Sequence, residues 1–376
     1  MKKYWKIIPS LLCTTMLVCS CTKEPTIEVN NPVNNIEEAA HQGKLDILRP
    51  MAYGNVDGLN IEPGSYISII GKNQHDSFWD EIQAGAKQAV ADLNKALGYE
   101  GSDKIKLNYS APKNPDDIDE QINILDEELA RYPIALGIAT IDASACQVQF
   151  DLARENGIPI VMLDSGSEYK DVATTCATNN KKAAETAAVK LASAIDKQGE
   201  IAVFLQDSKS MSAIKRKTAF LRKIKTDFPD VKVVRVYHFD QLAKMQKRMA
   251  KKLKMDIKDI EQKDVIQWLL EKNPNLKGIF TANLDVTQAV AQVVADMGKT
   301  DVKIVGFDGG KEQLALLEEG KVEGLIIQNP FGMGYATVVS IARSSLGMAN
   351  EAFVNCGHAW VTKETLSDEK VQKLMY

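Results

Sequence analysis

From residue 66 onward the chain alternates between two kinds of segment, and that alternation constrains the fold more than any single motif. Short, almost wholly apolar runs (Tyr66–Ile70, Ile105–Tyr109, Ile134–Ile138, Ile158–Leu163 and Val172–Ala177) read as strands. Between them lie stretches with apolar residues at helical spacing: Phe78–Leu97, Ile118–Leu129, Ala143–Glu155 and the alanine-rich Ala183–Ala194. A second cycle follows, with strands expected at Ile201–Leu205, Val231–Tyr237, Leu276–Phe280, Val302–Phe307 and Val322–Ile327. Its helices are expected at Ser212–Phe228, Gln241–Leu270, Val286–Met297, Lys311–Glu319 and Gly334–Gly347. A strand that is apolar throughout must be covered on both faces, which a parallel sheet flanked by helices provides. The expected fold is therefore α/β, with two doubly wound parallel-sheet lobes. A length of 376 residues suits two domains of ~150 residues each.

The N-terminus differs in kind. Lys2, Lys3 and Lys6 precede an apolar stretch, Ile7–Val18, too short for a ~30 Å hydrocarbon core, so residues 1–20 read as a signal peptide. Val18-Cys19-Ser20-Cys21 resembles a bacterial lipobox, with Cys21 the lipidated first residue of the mature chain; the other reading is ordinary cleavage near Ser20. The protein is then expected outside the cytoplasm, held to a bacterial membrane by lipid. Residues 21–62 are polar, rich in Asn and Glu and without period, which reads as a flexible stalk; an amphipathic patch at Leu45–Met51 could dock on the body.

Net charge is −4, which gives no overall cationic field for nucleic acid. The four histidines (His41, His75, His238, His358) form no HExxH motif and no paired CxxC is present, so neither a metal nor a cofactor is expected. Beyond the signal and Cys21, only Cys146, Cys176 and Cys356 remain. The open alternatives are a Cys146–Cys176 disulfide and three buried thiols.

Ligands of doubly wound sheets bind beyond the carboxyl ends of the strands, so polar residues just after strands are the ones to inspect. Asp76, Phe78 and Trp79 follow the first strand, Asp164 and Ser165 the fourth; Asn283, Asp308 and Gln328 follow strands of the second cycle. Asp164 and Asp308 taken singly read equally well as helix caps, and one of the two rings as plain core. Together, acids and amides at successive strand ends suit a neutral polyol, whose hydroxyls donate and accept and are costly to bury unpaired. Adjacent rings suit the C–H faces of a sugar.

Three stretches make the resemblance specific: Ile69-Ile-Gly-Lys with Asp76-Ser-Phe-Trp79, Gly157-Ile-Pro-Ile-Val-Met-Leu-Asp164, and Ile304-Val-Gly-Phe-Asp-Gly309. Over residues 64–365 the chain resembles periplasmic sugar-binding proteins of the ribose- and galactose-binding family, whose fold is shared with the effector domains of lactose-repressor-type regulators. The resemblance implies that Asp76 is a polar ligand contact, Phe78 and Trp79 are stacking rings, and Asp164 takes sugar hydroxyls. It implies further that Arg216 donates to the sugar, that Phe239 forms the second lobe's wall, and that Asn283, Asp308 and Gln328 complete the ring of contacts. Ser165 stands where the ribose-type pattern has arginine, which argues against ribose itself.

The resemblance also implies a three-strand hinge crossing near Thr178–Asn179, Gln328–Asn329 and Gly357–His358. The first lobe is then 63–178 with 329–357, and the second 179–328 with 358–376. The implied function is reversible capture of a monosaccharide by a monomer that delivers it to an ABC transporter permease or, alternatively, reports it to a membrane chemoreceptor or histidine kinase. Replacing either Asp164 or Arg216 by Ala is expected to abolish binding and spare the fold. Residues 244–262 read as an insertion, with six Lys or Arg between Lys244 and Lys254, either a solvated helix face or a contact for an anionic surface. An enzyme finds less support: neither GxSxG nor a phosphate loop is present, and a glycosidase pairing among Asp76, Asp164 and Asp308 lacks any sign of a raised pKa in the sequence. A repressor would need a helix-turn-helix where the export signal and stalk stand.

Overall fold

The computed structural model describes residues 41–376 apart from His75, so the signal peptide, the lipobox and the first part of the stalk lie outside the described residues. The first sheet is built from β1 (Tyr66–Ile70), β2 (Lys106–Ser110), β3 (Leu136–Ile138), β4 (Ile160–Leu163) and β5 (Thr174–Ala177). Helices α1 (Ser77–Leu97), α2 (Ile118–Leu129) and α3 (Gln147–Glu155) connect the first four strands. The chain then passes through α4 (Asn180–Ala194) into a second sheet: β6 (Gly199–Leu205), β7 (Val231–His238), β8 (Leu276–Thr281), β9 (Lys303–Phe307) and β10 (Gly324–Gln328). Helices α5 (Met211–Asp227), α6 (Leu242–Leu253), α7 (Gln262–Glu271), α8 (Leu284–Asp296) and α9 (Lys311–Glu318) cover it. Helix α10 (Pro330–Ser345) returns to the first lobe, β11 (Phe353–Asn355) joins its sheet, and β12 (His358–Val361) joins the other.

The two sheets repeat one plan. Their strand orders are β2-β1-β3-β4-β5-β11 and β7-β6-β8-β9-β10-β12, parallel throughout except for the antiparallel pair β10–β12. Strands β3, β4 and β10 are buried along their whole length, as two-sided helical cover requires. The sheets exchange chain after β5, after β10 and between β11 and β12, at the three places expected for a hinge. Where α1 and α10 cross, a Cβ at Gly85 would strike the Phe331 carbonyl and one at Gly334 the Ile82 carbonyl, so glycine is what lets the backbones touch.

Three expectations change. The folded body begins well before residue 63, because Leu48, Tyr53, Leu59 and Ile61 are buried in the first lobe's core. Arg49 exchanges both backbone hydrogen bonds with Asn355 of β11 at 2.9 Å, so this stretch continues the sheet edge. The docking foreseen for Leu45–Met51 thus extends through residue 61. The helix expected over Gln241–Leu270 is two: Lys254 in the left-handed region ends α6, and Asp264 accepts from Glu261 N at 2.7 Å to open α7.

The Cys146–Cys176 bridge does not form. Cys146 packs with Ile138 and Met162, and Cys176 with Leu163 and Val354, in two separate cores. Met162 and Leu163 are neighbours on β4 and point to opposite faces, so the two thiols lie on opposite sides of the sheet. Burial pushes both up to about 12, and Cys356 is likewise a buried thiol. Among the described residues no helix is long and apolar enough to cross a membrane.

Candidate functional site

The carboxyl ends of the two sheets face one another across a small chamber of about 70 Å³. From the first lobe it is lined by Lys72, Asp76, Phe78, Trp79 and Asp164. Asp76 caps α1, its Oδ1 accepting from Phe78 N at 2.7 Å and Trp79 N at 3.2 Å. Its pKa is nonetheless pushed up to about 7, chiefly by burial and then by Asp285, with the Trp79 amide pulling it down and Asp308 adding a further push. Phe78 and Trp79 meet edge to face at 5.3 Å; both are mostly buried and both reach the chamber. Asp164 is no helix cap. It sits in the left-handed region (φ 49°) just past β4, with Lys72 Nζ 3.9 Å from its carboxylate.

The second lobe contributes a connected network. Arg216, on α5, is 2% exposed, and its guanidinium lies 3.9 Å from the centre of the Phe307 ring. It donates from Nε to Asn180 Oδ1 (2.6 Å), from Nη1 to the Ala282 carbonyl (2.6 Å) and from Nη2 to Gln328 Oε1 (3.0 Å). Gln328 passes the chain on, donating to Asp308 Oδ1 at 2.6 Å, while Asp308 Oδ2 accepts from Leu284 N at 2.8 Å. Burial raises the Asp308 pKa, opposed by the Arg216 charge and the Gln328 hydrogen bond. Burial lowers that of Arg216, opposed first by Asp308, and the guanidinium remains charged.

Asp76, Phe78, Trp79, Asp164, Arg216, Asn283, Asp308 and Gln328 therefore line one chamber. Asn283 also caps α8, accepting from Val286 N at 3.1 Å. Two expected residues stand elsewhere. Phe239 lines a larger outer cavity. Ser165 is fully buried with its Oγ 3.3 Å from Ser212 Oγ of the other lobe, so its hydroxyl is spent on the seam between lobes.

Lys72 and Gln206 join the chamber directly after β1 and β6, so the strand-end rule covers them, although the residue types did not single them out. Tyr376 has no such signal. Its hydroxyl accepts from Gly309 N at 3.2 Å and its ring lies 6.1 Å from Phe78, which closes one flank of the seam. Burial and the Asp308 carboxylate push its hydroxyl well above the usual range.

Fold and cavity together define a two-lobed α/β protein with three chain crossings and a polar chamber where the carboxyl ends of its sheets meet. Residues 67–347 match the periplasmic binding protein domain, and the chain belongs to that family. The ribose import binding protein of Bacillus subtilis (strain 168) is 24% identical over 214 residues, which is 57% of this chain and 64% of that protein. A D-apiose import binding protein of Actinobacillus succinogenes is 22% identical over 296 residues, covering 77% and 86% of the two chains. Among solved structures, a carbohydrate transporter solute binding protein from Agrobacterium radiobacter in complex with D-arabinose superposes with a TM-score of 0.71. It is 29% identical, and the match covers 83% of this chain and 99% of that one.

Proposed function

We propose that the protein is an extracytoplasmic receptor, tethered through Cys21, that captures a neutral sugar between its lobes and presents the closed form to an ABC transporter permease. One observation carries this reading: Asp164 and Asp308, one from each lobe, line a single chamber with Arg216 and Gln328. Carboxylates accept from sugar hydroxyls, and the Arg216 and Lys72 cations donate to hydroxyl or ring oxygens. The Asp164 and Asp308 carboxyls, with Asp76 beside them, stand against the two cations and disfavour a sugar phosphate or sugar acid. The buried rings of Phe78 and Trp79 offer apolar surface to C–H groups. The names of two relatives, for ribose and D-apiose, and the D-arabinose complex of the similar solved structure support a sugar as ligand. The lipid tether is supported by the Val18–Cys21 motif.

Closure follows from the connections of Arg216. Its partners Asn180 and Gln328 stand at the first two crossings between lobes, so the binding network is continuous with the hinge. A ligand bridging Asp164 and Asp308 favours the state in which the lobes meet, by as much as it binds that state better. The test is a thermal-shift screen of the protein from residue 41 onward, against D-ribose, D-arabinose, D-apiose, D-allose and D-galactose. A sugar at 100 times its Kd should add about 2.7 kcal/mol of stability. No shift with any sugar, alongside a shift with amino acids or carboxylates, would overturn the reading.

A further inference from the structure

The chamber is the inner end of a larger space. An outer cavity of about 870 Å³ adjoins it and shares Lys72, Asp76, Trp79, Gln206 and Asn283 with it. That volume is near the top of the ~300–1,000 Å³ range of sites that enclose drug-sized ligands, well beyond the need of one sugar ring. The outer cavity coexists with lobes that already touch. On one flank Ala143 N donates to the Lys209 carbonyl at 3.2 Å beside the Ser165–Ser212 contact, and on the other Phe78 meets Tyr376.

Much of its wall belongs to one lobe. Leu242 and Gln246 of α6, Gln262 and Val265 of α7, and Gln288 and Ala289 of α8 form a groove between three helices of the second lobe, which hinge rotation does not close. Gln246 is held in place, its Nε2 donating to the Ile260 carbonyl at 2.6 Å, which pins the segment after α6 to the groove. The region read from sequence as an insertion thus contributes Gln246 and Gln262 to this wall.

The chemistry of the wall repeats that of the inner site. Trp79 and Phe239 contribute aromatic side chains to it, and three glutamine amides supply groups that both donate and accept. At the junction of the two spaces Gln206 adds one more amide side chain to the lining.

We propose that the outer cavity takes a second sugar unit, so that the cognate ligand is a disaccharide with one ring against Asp164 and Asp308 and the next in the groove between α6, α7 and α8. This rests on the sugar-capture reading. The test is calorimetric titration of the protein with glucose, galactose, xylose and arabinose, and with maltose, cellobiose, lactose, melibiose and xylobiose. At least one disaccharide should bind at least tenfold more tightly than its constituent monosaccharides. Ala243→Trp, at an exposed position on the cavity wall, should weaken that disaccharide at least tenfold and leave monosaccharide affinity within twofold. Gln262→Trp, exposed on the α7 side, repeats the block from the other wall and serves if the first variant does not fold. Monosaccharides that bind while every disaccharide binds more weakly, or a block that affects both classes equally, would overturn the proposal and leave sugar capture standing. Failure of both classes to bind would remove the sugar-capture reading itself.

Discussion

Asp164 and Asp308 are the same residue built twice, and they end in opposite conditions. Each follows the fourth strand of its lobe, and each has a left-handed backbone, with φ 49° and 77°. Each donates its N–H to the following strand, Asp164 to Cys176 O at 2.9 Å and Asp308 to Ile326 O at 2.8 Å. Beyond that the lobes diverge. Asp308 accepts from Gln328 and Leu284 and is tied through Gln328 to Arg216. Asp164 has the Lys72 ammonium at 3.9 Å, a looser contact. In the proposed sugar site the second lobe's half is thus already assembled, while the first lobe's acid keeps acceptor capacity for a ligand. Preorganisation on one side would lower the ordering cost of sugar binding, and the under-partnered side would give the proposed closure its gain.

The largest effect that sharpens this contrast comes from Arg216→Ala. It would strand the Asn180, Ala282 and Gln328 acceptors and leave Asp308 without its counter-charge, a loss of about 3–5 kcal/mol as for other buried pairs. Denaturant unfolding of the unliganded protein should register it. The expectation that this variant spares the fold is therefore replaced: Arg216 is part of the scaffold as well as of the chamber wall. Asp164→Ala should do the reverse. It should leave unliganded stability within about 1 kcal/mol and abolish the ~2.7 kcal/mol given by saturating sugar. Equal losses of unliganded stability in the two variants would break the comparison between lobes.

How far the sequence carried the site is clearest in these same residues. Apolar strands of period-free pattern fixed where carboxyl ends fall, so Asp76, Asp164, Asn283, Asp308 and Gln328 could be placed at one edge from order alone. Their partners could not be. The three acceptors of Arg216 lie 36, 66 and 112 residues away along the chain, and no local pattern encodes such contacts. Ser165 shares a strand end with Asp164, yet one residue further along the chain its side chain points to the seam. Tyr376 reaches Gly309 only through tertiary packing. Strands β11 and β12, Phe353–Asn355 and His358–Val361, are as short as β3 to β5 but are interrupted by Asn355 and His358, so neither presents a continuous apolar run to recognise.

A smaller effect concerns Asp76, the first lobe's other acid. With its pKa pushed up to about 7 by burial, Asp285 and Asp308, it is largely protonated at pH 5. If the carboxylate accepts sugar hydroxyls, affinity should climb by up to about tenfold per pH unit below pH 7 and level off above, a gain of about 1.4 kcal/mol per unit. Unliganded stability should move the other way. The folded state keeps a proton that the unfolded chain loses near 3.8, so the contribution is complete below that value and is lost as pH rises to about 7. Asp76→Asn, which retains a side-chain oxygen for the cap, should flatten the affinity profile. Titrations from pH 5 to 8 on both proteins check this, and an unchanged profile in the variant would remove Asp76 from the site.

The seam offers the smallest and most specific test, because it belongs to neither half. Ser165 and Ser212 meet at 3.3 Å across the lobes, and Ser212 N also donates to Ser165 Oγ at 3.4 Å. A neutral hydrogen bond of this kind contributes about 0.5–1.5 kcal/mol net. Present only when the lobes meet, it stabilises the closed state and not the open one. Ser165→Ala should therefore leave the association rate of a bound sugar nearly unchanged and raise its dissociation rate by about two- to tenfold. Stopped-flow measurements separate the two rates. A variant that instead slowed association would mean that the Ser165 hydroxyl acts on the incoming ligand, and the assignment of Ser165 to the seam would have to be given up.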